Sequence, residues 1–264
     1  MSLTRVIALY LGAVSMLSSP YINAACLAHS GKERVPLLEL YTSEGCSSCP
    51  PAEEWLSNIS AAGFSSAKVV PLAFHVDYWD YIGWKDRFAK PEYSARQNQV
   101  ASMGNARFVY TPQIVFNGAD FRGWQQNARF SESVSEQLKQ PARANLSLNI
   151  APDAHGDLTL KVSAQTLQAN DSKNADVFIA IYENKLSSQV NAGENNGRKL
   201  DHDYVVREFY GPFKLDDNDA NSAGWQRSIM LDPAWKTRNA GVVTFVQDRT
   251  NGAVLQALAL QMCS

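Results

Sequence analysis

The chain has 264 residues, with 24 basic and 26 acidic side chains and a net charge of −2. That balance leaves no basic stripe of the kind that attracts nucleic acid. With 45% apolar residues and aromatics spread throughout, the chain can bury a sizeable core, which excludes the disordered class.

Met1 to Arg5 is followed by an apolar stretch from Val6 to Leu17, then Ser18-Ser19-Pro20 and Ile22-Asn23-Ala24-Ala25. A charged start, a short apolar run and a small-residue exit describe a secretory signal peptide over residues 1–24, cleaved after Ala24 or, as runner-up, after Ala25. The run falls short of the roughly 20 apolar residues that span a bilayer, and no later run is long enough. Asn23 stands three places before Cys26, where lipid attachment favours a Leu-like residue. The expectation is therefore a soluble bacterial product, periplasmic or secreted, with no transmembrane segment. Losing Arg5 with the leader takes the net charge to about −3, the 24 basic residues less one against 26 acidic.

Val35 to Tyr41 reads as a short, largely buried strand, and Thr42-Ser43-Glu44-Gly45 as a loop. Cys46-Ser-Ser-Cys49-Pro-Pro51 then opens a helix that should run to Gly63, capped by its serines, with prolines in the first turn and Glu53 and Glu54 at its positive end. Lys68 to Val76 is the next strand. An aromatic stretch, Asp77 to Trp84, and polar helical sequence through Asn98 follow. Tyr110 to Phe116 is a strand entered through Pro112, turning at Asn117-Gly118, a strong hairpin signal. Ser131 to Lys139 resembles a closing helix stopped before Pro141. From Ala142 the pattern alternates with period two: 145–150, 157–162, 176–182, 205–209, 226–231, 242–247 and 254–260 read as strands of an antiparallel sandwich. The expected organisation is thus a signal peptide, an α/β domain over 25–141 with a helical insert, and an all-β sandwich-like domain over 142–264.

The four cysteines divide by position. Cys46 and Cys49 lie within one turn, and Cys26 and Cys263 at the two extremes of the mature chain. In an exported protein disulfides persist, so the simplest scheme is a reactive close pair and a structural bridge between Cys26 and Cys263, the alternative being free end cysteines. A thiol–disulfide exchanger needs one thiolate to attack and a second thiol to resolve the mixed disulfide. At a helix start the first cysteine meets unpaired N–H groups and the helix dipole, which favour its thiolate. That makes Cys46 the nucleophile and Cys49 the resolving partner. Zinc sites share the spacing, but they need further ligands, and no second Cys-x-x-Cys or His-x-His follows.

With the pair between a strand and a helix and a proline-entered strand beyond, residues 35–139 resemble a thioredoxin-fold protein. The resemblance implies that Thr111-Pro112 is cis and lies against the redox cysteines, with Pro112 holding an extended substrate. Glu39 to Pro51 and Phe74 to Lys85, extended by Gly193–Arg198 and His202–Arg207, are similar to the DUF1223 family, secreted bacterial proteins with a thioredoxin-like domain and no firmly assigned activity. Against ordinary thioredoxins, Gly45 replaces an aromatic residue and Ser47-Ser48 replaces Gly-Pro. The family's buried acid would fall on Leu40, with Glu39 one place away.

The activity implied is thiol–disulfide exchange with protein or small thiol and disulfide partners, without a cofactor. The alternatives are a metal-binding module holding copper between Cys46, Cys49 and His75, and a non-catalytic interaction module in which the cysteines are a staple. His75 otherwise reads as a structural histidine at a strand end. Tyr78 and Trp79, with Tyr81 and Trp84, either shape a substrate groove or pack the insert. Glu194, Arg198, His202 and Arg207 read as surface ion pairs.

Overall fold

A computed structural model describes residues 26–152, 157–215 and 222–263. The leader expected over 1–24 lies outside them. In chain order the elements are β1 (Cys26–His29), β2 (Leu37–Thr42), α1 (Pro50–Ser57), β3 (Val70–His75), α2 (Pro91–Met103), β4 (Gln113–Phe116), β5 (Ala119–Asp120) and α3 (Asn127–Leu138). There follow β6 (Ala144–Pro152), β7 (Leu158–Thr166), the single-turn α4 (Ala169–Ser172), β8 (Ala175–Glu183), β9 (Leu186–Gln189), β10 (Lys199–His202), β11 (Val205–Lys214), β12 (Ser222–Ile229), β13 (Ala240–Asp248) and β14 (Val254–Gln261). The architecture is mixed α/β and mostly β.

The local chemistry explains most boundaries. β2 and β3 are buried along their whole length, as their unbroken apolar runs require of strands covered on both faces. β7 alternates instead, because one face meets water. At the β4–β5 turn Asn117 and Gly118 both have positive φ, 51° and 87°, which suits a tight two-residue hairpin. A Cβ on Gly118 would fall 1.9 Å from the Gly252 carbonyl oxygen, so only glycine lets this turn seat there. The first helix is shorter than expected. It starts at Pro50, with Cys49 at the N-cap and no side-chain cap bond; two prolines in the first turn leave fewer N–H groups for a serine to satisfy. It ends at Ser57, where Asn58 and Ser60, weak helix formers, give way to turns up to Gly63.

Eight strands form one sheet in the order β14-β13-β8-β11-β3-β2-β4-β5. β2–β3 and β3–β11 are parallel, and the other pairs antiparallel. A four-stranded antiparallel sheet, β1-β6-β7-β12, packs on it, and β9 and β10 form a separate hairpin. The change of character near Pro141 is therefore not a break in the sheet. β11 continues it across β3, with Val205 opposite Ala73 and the Ala73 N–H donating to the Tyr204 carbonyl at 2.8 Å. In the other direction β1 joins the sheet of β6 and β7. The pairing covers an edge of β3 that would otherwise present unpaired backbone groups.

Alternate residues divide the core. Leu37, Tyr41, Phe74, Phe178, Val206 and Phe245 cluster on one face with Tyr93 and Val100 of α2. On the opposite face Leu38, Leu40 and Ala73 pack under α1 and α3 through Ala52, Leu56, Phe130 and Val134. Farther along that face Ile179, Ile181 and Val242 meet Leu148, Ile150 and Val162 of the four-stranded sheet. Among the described residues no helix is long and apolar enough to cross a membrane.

Candidate functional site

The structure forms both bridges. Cys26–Cys263 joins chain ends 237 residues apart with a Cα separation of 5.9 Å. Its Cys26 is buried beside Leu148, Ile150 and Met262. Cys46–Cys49 spans 5.4 Å between Cα atoms. Both sulfur-bearing residues are fully buried, 0% exposed, while Ser47 and Ser48 between them face solvent.

The Cys46 loop is held from several sides. Its own turns close through Cys46 N–H to the Ser43 carbonyl at 3.1 Å and Cys49 N–H to the Cys46 carbonyl at 3.2 Å. Asp86 accepts the Glu44 N–H at 2.9 Å, and Trp84 Nε1 donates to Glu44 Oε2 at 2.7 Å. From the C-terminal half, Asn195 Nδ2 donates to the Glu44 and Cys46 carbonyls at 2.9 and 3.0 Å, and Glu194 accepts the Ser47 N–H at 3.0 Å. Hydrogen bonding from the Ser47 side chain, and then from that N–H, holds the exposed Glu194 carboxyl below its ordinary pKa. A Cβ at position 45 would lie 3.2 Å from the Trp79 Cβ, so Trp79 fills the space an aromatic residue there would need. Trp79 Nε1 in turn donates to Thr111 Oγ1 at 2.7 Å. Trp79 thus ties Gly45, beside the first cysteine, to the cis Thr111–Pro112 step.

Behind the loop lies a buried polar cluster at the β3–β11 seam. Thr42, ending β2, donates to Glu53 Oε1 at 2.5 Å, and Glu53 Oε2 meets His202 Nδ1 at 2.6 Å. His202 Nε2 is 3.2 Å from Glu44 Oε1. His75, ending β3, meets Asp86 Oδ2 through Nδ1 at 2.7 Å. The two imidazole rings stand 5.1 Å apart, nearly perpendicular, with Phe88 against both. Burial alone would lower the His202 pKa, but the charge of Glu53, the Glu44 carboxylate at 3.2 Å and the hydrogen bond to Glu53 outweigh it and push it up to about 10. Burial likewise opposes the charged forms of Glu53 and Asp86, yet His202 holds Glu53, and His75 holds Asp86, below the usual carboxylate range.

Several expectations change. Of the four residues read as surface ion pairs, His202 is 1% exposed and paired with two glutamates, because the β9–β10 hairpin folds onto α1. Glu194 caps Ser47, Arg198 donates to Asn195 Oδ1 at 2.9 Å, and Arg207 pairs with the buried Glu183. Glu39 lies on the sheet face opposite α1, where Arg96 Nε holds it at 2.7 Å inside a cage of Phe74, Phe178, Phe209 and Phe245. A one-residue step along a strand reverses the face. Tyr78 and Trp79 are half-buried against the core, Tyr78 donating to Gln97 Oε1 at 3.1 Å, whereas Tyr81 is exposed. Among the described residues, three that could hold a metal ion, Glu53, His75 and His202, have ligand atoms within 4.8 Å of one another. His75 enters that group without Cys46 or Cys49. The sequence gives Glu44, Asn195 and His202 only as part of the stretches that resemble the family, Glu53 only as an acid suited to the helix start, and Asp86 no role.

No curated protein sequence matches the chain. Two solved structures resemble it. One, a crystal structure of a protein from Agrobacterium tumefaciens, is 23% identical, with a TM-score of 0.57 over 87% of this chain and 96% of that one. The other, HBP35 of Porphyromonas gingivalis, is 14% identical, with a TM-score of 0.66 over 88% of this chain and 76% of that one. At these identities they support the fold alone. A family model described as "Protein of unknown function (DUF1223)" matches residues 37–247, most of the chain. The protein belongs to the DUF1223 family.

Proposed function

We propose that the protein is an exported thiol–disulfide oxidoreductase whose N-terminal elements β2, α1, β3, β4 and α3 form a thioredoxin-like unit. The observation that carries this reading is the Cys46–Cys49 bridge, placed between the end of β2 and the first turn of α1. In the reduced protein the Cys46 thiolate attacks one sulfur of a substrate disulfide and expels the other as a thiolate. The Cys49 thiolate then attacks Cys46, reforming the bridge and releasing the second substrate thiolate. Run backwards, the same two exchanges oxidise a dithiol. Cys46 lies one turn before α1, whose first two residues, Pro50 and Pro51, have no N–H, so it is the dipole of α1 that favours the Cys46 thiolate. The signal-like leader and two disulfides support export to an oxidising compartment, with protein or small thiol and disulfide partners.

One observation favours a second reading, a structural staple: both cysteines are wholly buried. The reduction potential of Cys46–Cys49, measured in thiol redox buffers alongside trapping by a Cys49→Ser variant, separates the two. The exchange reading expects a potential above about −300 mV and mixed disulfides accumulating on Cys46. A potential below that, with a Cys46 that forms no mixed disulfide, establishes the staple.

A further inference from the structure

The carboxylate–histidine cluster behind the bridge is more than packing requires, and its charge does not balance. Glu44, Glu53 and Asp86 are all buried, 0%, 6% and 1% exposed. Each described ion pair of Glu44, Glu53 or Asp86 is with His75 or His202, and none is with lysine or arginine. Three buried carboxylates against two imidazoles leave negative charge that burial makes costly. The cluster also has unspent donor atoms. His75 Nε2, His202 Nε2 and Glu44 Oε1 are buried without a hydrogen-bond partner; the last two are 3.2 Å apart, in ion-pair range but misaligned for a hydrogen bond.

His75 has the arrangement of a metal-binding histidine: Nδ1 is tied to a carboxylate, Asp86, at 2.7 Å, and Nε2 is left free. The ligand atoms of Glu53, His75 and His202 lie within 4.8 Å of one another. They come from three elements, α1, β3 and β10, that the β3–β11 seam brings together.

We infer that Glu53, His75 and His202 form a binding site for one divalent first-row transition ion, of which Zn(II) is the probe. Two imidazoles and one carboxylate suit such an ion, whereas Mg(II) and Ca(II) prefer all-oxygen sites. Binding tightens the three side chains toward bonds of about 2.0–2.2 Å. Both imidazoles bind such an ion in their neutral form, and its two charges then face the three buried carboxylates. This site uses neither cysteine, so it stands whether or not Cys46–Cys49 exchanges disulfides.

The test uses the oxidised mature protein, stripped with chelator and equilibrated with Zn(II). One ion per chain is expected, with uptake unchanged by excess Mg(II) or Ca(II). X-ray absorption at the zinc edge should show nitrogen and oxygen neighbours including imidazole, and no sulfur. His75→Ala and His202→Ala should lose the ion. Asp86→Asn should weaken binding about 10–100-fold, and the Cys46→Ser/Cys49→Ser pair should leave it unchanged. Substoichiometric uptake, sulfur in the zinc spectrum, or binding retained in a folded His75→Ala protein each overturns the inference. The spectrum of the unmutated protein decides the matter if the histidine variants do not fold.

Discussion

The two disulfides of this protein look alike chemically and sit in opposite surroundings. Cys26–Cys263 lies against an apolar cluster and closes a loop of 237 residues, for which the chain-entropy model gives about 5 kcal/mol. Cys46–Cys49, three residues apart, closes so short a loop that the same model gives about 2 kcal/mol. It is surrounded instead by directed polar contacts from Glu44, Asp86, Glu194 and Asn195. The difference teaches where each region's order comes from. The terminal bridge acts on the unfolded chain, whereas the short bridge is ordered by what folds around it.

Three experiments would break or sharpen that contrast. The largest effect is expected from the Cys26→Ser/Cys263→Ser double variant. It should lose up to about 5 kcal/mol, or roughly 10–20 °C in Tm for a chain of this size, with the reactivity of Cys46–Cys49 unchanged. A loss under about 1 kcal/mol in denaturant titration would show that β1 and β14 are held without the bridge. Next comes His202→Leu, which removes the cationic partner of buried Glu53 and Glu44. It should cost about 3–5 kcal/mol, more than the short bridge itself, measured by the same titration. The smallest is Asn195→Ala. It frees two carbonyls of the Cys46 loop and should cost about 1–2 kcal/mol locally, with reduction of Cys46–Cys49 by dithiothreitol at least about fivefold faster. Unchanged reduction kinetics would mean that the Asn195 contact does not gate the bridge.

Much of the fold was legible in the sequence because its signals are local. The apolar runs of β2 and β3, the alternation of β6 and β7 and the Asn117–Gly118 turn each state their structure within a few residues. β9 and β10 were not legible: four residues each with one leucine apiece, they are too short for an alternation to read as a strand. Their absence from the reading is what turned His202 into a surface residue. The length of α1 was misjudged for a related reason, since Asn58 and Ser60 tolerate helix and turn about equally.

The candidate site divides the same way. That Cys46 and Cys49 can bridge, and that they stand between a strand and a helix, follows from spacing and pattern, because both are properties of a dozen consecutive residues. What surrounds the bridge was decided by tertiary structure alone. Thr42, Glu53, His75, Asp86 and His202 meet only because β11 pairs with β3 and the β9–β10 hairpin folds onto α1. A contact between Glu53 and His202, 149 positions apart, has no local period or propensity to announce it. It exists because the sheet brings two distant segments to one edge and buries their charges together.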